Sequence, residues 1–178
     1  MRILLPESFM TSPWKNGGGV THEIARHEAT DSWIWRLSIA EVASDGAFSR
    51  FDGLSRILTV IEGDGVDLHT PHGIMQARPL MPIHFPGALA VDSRLVNGPI
   101  RDLNVIYDAQ LIDARVALIA NPCHLEVGPD RTGFLALAGQ TTVDGTALAL
   151  GAFALGCEGV IDIAAGASGM LVTLRDLP

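Results

Sequence analysis

The chain is short of cysteine and of long apolar runs, and each shortage excludes a class of protein. Cys123 and Cys157 are its only cysteines, and no Cys-x-x-Cys pair occurs, so we expect two reduced, buried thiols and not a disulfide framework. No segment approaches the ~18 apolar residues of a membrane helix, and residues 1–7 are apolar too briefly for a signal peptide. We therefore expect a cytoplasmic protein that does not bind a membrane.

Positive charge is also scarce. The chain has 12 lysine and arginine residues against 20 aspartate and glutamate residues, and this net charge of −8 disfavours nucleic acid as a partner. An apolar fraction of 48% with 18% charged residues is typical of a globular protein, and 178 residues fit one domain or two small ones. An anionic ligand would have to meet a local cluster of cations.

Long segments with helical periodicity are missing, and short alternating segments take their place. In residues 33–42, Trp35 shares a face with aromatic and aliphatic neighbours, while Arg36 and Ser38 lie on the other face. Glycine and proline, 19 and 10 residues, punctuate such segments every eight to twelve residues. This rhythm predicts an all-β sandwich or barrel, although residues 108–120 fit a helix or a strand.

The two halves of the chain resemble each other loosely. Residues 57–63, for example, match residues 134–139 in pattern, which favours two copies of one β unit. We predict an N-terminal unit at residues 1–110 and a C-terminal unit at residues 111–178, with residues 1–10 pairing into the latter. Polar residues capable of chemistry lie mostly in the first copy, so we expect the second to be a scaffold.

Familiar catalytic and metal-binding motifs are missing. His69 and His72 are three residues apart across a predicted turn, a spacing that would place them on opposite faces of a strand. No Gly-x-Ser-x-Gly sequence occurs, and no Gly-Lys-Ser/Thr follows the triple glycine at residues 17–19. We therefore predict no catalytic residues, no protein-bound metal and no cofactor.

Polar residues embedded in the apolar strands are more informative. Arg36 and Ser38 share one strand face, and Asp102 and Asn104 share a face of another predicted strand. Because a buried charge is rarely left unpaired, Arg36 and Asp102 are candidates for a structural ion pair. The alternative is that these residues line the mouth of a barrel and bind a small polar ligand. The side chains that would complete such a site are Lys15, Asn16 and His84.

Four blocks of sequence resemble the HutD/Ves family, which is associated with histidine utilisation. They are residues 14–24 (Trp-Lys-Asn-Gly-Gly-Gly-Val-Thr-His-Glu-Ile), 35–40 (Trp-Arg-Leu-Ser-Ile-Ala), 48–53 together with 56–63, and 98–105 (Gly-Pro-Ile-Arg-Asp-Leu-Asn-Val). The resemblance implies a bicupin, which is a chain of two double-stranded β-helix barrels, without a catalytic metal. It also implies a regulator that binds a small acid from histidine breakdown, with N-formylglutamate and urocanate as the ligand classes.

The resemblance and the residue pattern together define a candidate ligand-binding set. Its members are Trp14, Lys15, Asn16, Gly19, Thr21, Arg36, Ser38, His84, Arg101, Asp102 and Asn104. We expect Lys15 and Arg36 to bind a carboxylate, Asn16 and Asn104 to contact a formyl or amide group, and Trp14 to close the apolar side.

The partner would be a small anionic metabolite, and the assembly a homodimer. Two alternatives remain open. One is a cupin-type enzyme, metal-dependent or acid–base, that uses Glu23, His84 or Asp102. The other is an interaction module with an acidic surface.

Overall fold

The computed structural model of the protein describes residues 1–15, 17–29 and 32–178, and strands dominate all of these segments. The strands, numbered in chain order, are β1 Arg2–Leu4, β2 Met10–Pro13, β3 Gly19–Ala29, β4 Ser32–Val42, β5 Gly46–Ala47, β6 Ser55–Glu62, β7 Val66–Thr70, β8 Gly73–Ala77, β9 Ile83–Pro86, β10 Asp92–Leu95, β11 Ile100–Tyr107, β12 Ile112–Ala120, β13 Cys123–Ala138, β14 Thr141–Val143, β15 Thr146–Leu148, β16 Phe153–Ile163 and β17 Ser168–Asp176. The predicted all-β class is confirmed, and the ambiguous segment 108–120 contains a strand, β12.

A 3₁₀ turn at Pro6–Ser8 is the one helical segment in the described part of the chain. None of the described residues forms a helix with the length and apolar character needed to cross a membrane.

The described residues divide into two compact units. The N-terminal unit is Met10–Gln110, and the C-terminal unit combines Met1–Phe9 with Leu111–Pro178. Residues 2–4 belong to the C-terminal unit because β1 pairs antiparallel with β16.

The N-terminal unit contains two antiparallel sheets that enclose an apolar core. One sheet has the strand order β2-β3-β4-β11-β6-β9, and the other has the order β5-β10-β7-β8. Leu58 and Val60 from β6 join Val66 and Leu68 from β7 in one buried cluster, so the core lies between the two sheets. Both sheets have free edges in the described part of the chain, so neither closes into a barrel, and the predicted pair of barrels is not confirmed.

The C-terminal unit is built on one sheet with the strand order β12-β17-β13-β16-β14-β15. Its buried cluster includes Phe134, Ala154 and Ile161. The β14–β15 hairpin turns at Asp144 and Gly145, which have φ angles of 47° and 73°. An Asp-Gly pair with positive φ at both positions is the turn that suits a two-residue hairpin.

Candidate functional site

The glycine-rich segment closes the β2–β3 hairpin and places Trp14 at the edge of the N-terminal unit. The Trp14 amide donates to the Gly19 carbonyl at 2.9 Å, and the Gly17 amide donates to the Trp14 carbonyl at 3.0 Å. The indole Nε1 of Trp14 donates to Thr21 Oγ1 at 2.8 Å. The ring also meets Phe48 edge-on, with the two centroids 6.0 Å apart. The orientation of the Trp14 ring is therefore fixed by a hydrogen bond and an aromatic contact.

Gly19 allows this arrangement because its backbone lies against two neighbours. A Cβ atom at this position would overlap the Glu41 carbonyl oxygen and lie 3.1 Å from the Trp14 ring. Since the first contact is with backbone, it could be relieved only by moving a strand. Gly19 was predicted to bind ligand; in the structure, its lack of a side chain lets Trp14 and the strand that carries Glu41 pack closely against it.

A cavity of about 110 Å³ lies beside Trp14 on the inner face of the six-stranded sheet. Its walls combine two guanidinium groups, three small polar side chains, one amide and several apolar groups. The lining residues are Trp14, Thr21, Arg36, Ser38, Ala40, Phe48, Ser49, Phe51, Arg56, Asn104 and Ile106. The register of β4 with β11 pairs Ser38 with Asn104 and Arg36 with Ile106, which brings these side chains to one face.

Arg36 is held by Glu23 and not by Asp102. Its Nε atom donates to Glu23 Oε2 at 2.7 Å, and its guanidinium stacks 4.8 Å from the Trp33 ring centroid. Arg26 also approaches Glu23, with Nη1 lying 3.3 Å from Oε1. The prediction of an Arg36–Asp102 ion pair is therefore wrong, because Glu23 from the neighbouring strand occupies that role.

Arg56 is a second buried cation in the cavity wall. Its Nε atom donates to Asn104 Oδ1 at 2.8 Å, and its guanidinium packs 4.8 Å from the Phe48 ring centroid and 5.5 Å from that of Phe85. The Nδ2 atom of Asn104 in turn donates to Asp102 Oδ1 at 2.6 Å. Both ends of the Asn104 amide are therefore occupied, Oδ1 by Arg56 and Nδ2 by Asp102. This argues against the predicted contact of Asn104 with a formyl group.

Burial dominates the electrostatics of this network. Asp102 is 0% exposed, and burial raises its pKa to about 6, although the charge of Arg56 and the hydrogen bond from Asn104 act in the opposite direction. Burial also lowers the pKa of Arg56, with the positive charge of Arg36 acting in the same direction. A guanidinium nevertheless stays charged at ordinary pH. Two cations therefore converge on one small cavity.

Arg56 was missing from the residues predicted to form the site. It begins an apolar run, residues 56–61, and alternation places it on the same face as Leu58 and Val60. A charged residue on the inward face of a strand is the signal that marks it.

The structure brings together only part of the predicted set. Trp14, Thr21, Arg36, Ser38 and Asn104 line the cavity, with Asp102 beneath Asn104.

The remaining predicted residues lie elsewhere. Lys15 is exposed and does not line the cavity, while Asn16 lies outside the described residues. His84 is exposed on the edge strand β9, paired opposite Ile57, and does not reach the cavity. Arg101 forms ion pairs with two other residues: its Nη1 lies 2.6 Å from Glu62 Oε1, and its Nε lies 3.7 Å from Glu41 Oε1. Neither His84 nor Arg101 lines this cavity, and a ligand-binding role for either residue stays a prediction.

The C-terminal unit has a cavity of its own, which the expectation of a plain scaffold did not include. Its volume is about 290 Å³, and Arg175, Arg115, Asp113 and Glu126 are among its lining residues. Arg175 is already engaged by Asp130, with Nη2 and Oδ2 2.7 Å apart. Within the described residues, no group of three or more histidine, cysteine, aspartate or glutamate side chains is arranged to hold a metal ion.

Comparison with known proteins places the chain in a family. The HutD family model matches residues 6–167. The chain belongs to the HutD family, which is associated with histidine utilisation. It is 42% identical over 121 residues to an uncharacterised 21.2 kDa protein from the hutC 3′ region of Pseudomonas putida, a match that covers 65% of this chain and 63% of that protein. It is 33% identical over 108 residues to protein Ves of Escherichia fergusonii, covering 59% of this chain and 56% of Ves. The family predicted from the four sequence blocks is confirmed.

Solved structures extend the similarity over the whole chain. HutD from Pseudomonas fluorescens SBW25, in a formate condition, superposes with a TM-score of 0.84 and 31% identity over 99% of both chains. A cupin 2 conserved barrel domain protein from Leptotrichia buccalis superposes with a TM-score of 0.58 and 10% identity over 89% of both chains. The second likeness concerns the fold alone and is cupin-like.

Proposed function

We propose that this HutD-family protein is a non-catalytic binding protein for a small carboxylate, and that the cavity beside Trp14 is the binding site. The observation that carries the proposal is the pair of guanidinium groups in its wall. Arg36 and Arg56 each use Nε for an internal hydrogen bond, and their terminal Nη groups form no hydrogen bond with the described residues. Guanidinium groups bind carboxylates through charge-assisted, bidentate hydrogen bonds.

The size of the cavity limits the ligand. A volume of about 110 Å³ is well below the roughly 300–1,000 Å³ of pockets for drug-sized molecules. It suits a carboxylate head with a short chain, and a longer acid would extend out of the cavity. Formate, present in the condition of the P. fluorescens HutD structure, is the smallest such head group.

The biological role follows from the family. We propose N-formylglutamate and urocanate as candidate ligands, and regulation of histidine utilisation in the cytoplasm as the purpose of binding. Supporting this proposal are membership of the HutD family and the relative from the hutC 3′ region of P. putida. We also propose that the two units are two cupins, because the cupin-like neighbour aligns with 89% of the chain.

The acid–base enzyme alternative required Glu23, His84 or Asp102 to face a substrate. None of the three lines the cavity: Glu23 is bound to Arg36, His84 is exposed elsewhere, and Asp102 is buried beneath Asn104. The binding function is therefore the one that the geometry favours.

Isothermal titration calorimetry with N-formylglutamate and urocanate tests the proposal. Arg36→Ala should weaken binding by about tenfold to a hundredfold, because a hydrogen bond to a charged group contributes about 1.5–3 kcal/mol. The matched control is Arg26→Ala, which removes the other guanidinium that contacts Glu23 but leaves the cavity wall intact. Binding by the control should stay within about twofold of the parent. Heat from neither acid, or an Arg36→Ala variant that binds like the parent, would refute the assignment.

A further inference from the structure

Each cation in the cavity wall already has a carboxylate nearby. Arg36 is hydrogen-bonded to Glu23 at 2.7 Å, and Arg56 is connected through the Asn104 amide to Asp102. The group therefore contains two positive and two negative charges before any ligand arrives. A bound carboxylate would bring a third negative charge into a poorly solvated site, where an uncompensated charge is costly.

The two carboxylates differ in their surroundings. Glu23 contacts the guanidinium groups of Arg36 and Arg26 directly, at 2.7 Å and 3.3 Å. Asp102 is wholly buried, and no guanidinium of the described residues lies within ion-pair distance of it. Its Oδ1 atom accepts from Asn104, while Oδ2 has no hydrogen bond of good geometry with the described residues. Of the two carboxylates, Asp102 is therefore the one that lies outside a direct ion pair and could hold a proton, even though the Ala40 amide also favours its ionised form.

The elements around Asp102 supply few other charges. The register places it between Ala40 on β4 and Val60 on β6, and both belong to the apolar cluster that includes Val66 and Leu68 of the facing sheet. The charged groups facing this region are Arg56 from β6, Arg36 from β4 and Glu23 from β3. Burial already raises the pKa of Asp102 to about 6.

We propose that binding of a carboxylate at Arg36 and Arg56 is coupled to uptake of one proton by Asp102, so that ligand affinity rises as pH falls. Protonation removes the negative charge behind Asn104 and leaves the charge of Arg56 available to the ligand. The bound anion in turn favours the protonated form of Asp102, because coupling between two sites is reciprocal. The inference rests on the proposed function of the cavity and adds a pH-dependent control to it.

The probe for the test is N-formyl-L-glutamate, because its carboxylates stay ionised above about pH 6. Urocanate is unsuitable because its imidazole titrates in the same range. Calorimetric titrations at about pH 6.5 and about pH 7.5 should show Kd rising by close to tenfold at the higher pH. Repeating them in two buffers with different heats of ionisation should reveal uptake of close to one proton per ligand bound.

Two variants separate Asp102 from other titrating groups. Asp102→Asn imitates the neutral form, so its Kd should be the same at both pH values and its heat independent of the buffer. Asp64→Asn removes an exposed carboxylate of the same unit and should keep the parent's pH dependence.

The outcomes distinguish the two proposals. Binding with a pH-independent Kd and buffer-independent heat would overturn the proton coupling and leave the binding site standing. No heat at either pH would overturn the binding site and the coupling together. If Asp102→Asn fails to fold, the two-buffer measurement on the parent protein decides the question without it.

Discussion

Asp102 should make the stability of the N-terminal unit depend on pH even without a ligand. Its pKa is raised from 3.8 to about 6 by burial, so the folded protein holds the proton more tightly than the unfolded chain does. The stability that protonated Asp102 contributes is therefore complete below about pH 4 and is lost as pH rises through about 6. A shift of about two pKa units corresponds to about 3 kcal/mol.

Urea denaturation followed by tryptophan fluorescence measures this loss. The three tryptophans, Trp14, Trp33 and Trp35, all lie in the N-terminal unit and report its unfolding. The comparison variant is Asp102→Asn, which cannot titrate at this position. Between about pH 4.5 and about pH 7.5, the parent should lose about 2 kcal/mol of unfolding free energy relative to the variant.

The comparison is insensitive to how well asparagine fits the site. Any cost of the new amide, or of leaving Arg56 without a counter-charge, is the same at both pH values and cancels in the difference. A stability difference of equal size at both pH values would refute the reasoning. A parent that gained stability relative to the variant as pH rose would show that attraction by Arg56 outweighs burial at Asp102.

Two further predictions concern packing and thiol reactivity. Gly19→Ala should destabilise the protein by about 1–3 kcal/mol in thermal unfolding, because its methyl group meets the Glu41 carbonyl. Gly128→Ala, whose added methyl has no neighbour within 4 Å, is the control, and equal losses for the two variants would contradict the packing argument. Cys123 should react with a thiol reagent in the folded protein while Cys157, buried and with its pKa raised to about 11 by burial, stays unmodified. Equal labelling rates would disprove this difference.

Much of the strand pattern was predictable because side chains alternate across a strand. The alternation at residues 33–42 predicted a strand, and β4 covers Ser32–Val42. In the second half of the chain, residues 134–139 were matched in pattern to residues 57–63, but β13 is much longer and spans Cys123–Ala138. The prediction missed its first part because Gly128 and the following residues resemble a turn. In the structure the pairing of β13 with β16 shifts register there, so the strand continues through the irregularity.

The sequence predicted which side chains of the candidate site share a strand face, but not which side chains contact each other. Alternation correctly placed Arg36 with Ser38 on one face, where both line the cavity. It said nothing about which carboxylate would meet Arg36, because partners across strands depend on register. Nor did it distinguish a side chain that contacts a ligand from one, such as Asn104, that holds a neighbouring arginine in place.

An irregularity in β3 brings a second cation to the carboxylate that holds Arg36. Residues three apart on a regular strand lie on opposite faces, so Glu23 and Arg26 should not meet. The pairing of β3 with β4 shifts between Glu23 and Ala25, which leaves Ile24 as an extra residue and returns Arg26 to the face of Glu23. Arg26 then pairs opposite Arg36, and the carboxylate of Glu23 contacts both guanidinium groups. The bulge therefore adds Arg26 to the pair formed by Glu23 and Arg36. An anion that binds at Arg36 meets a cation already paired with Glu23, and under the proposed coupling the proton accepted by Asp102 balances its charge.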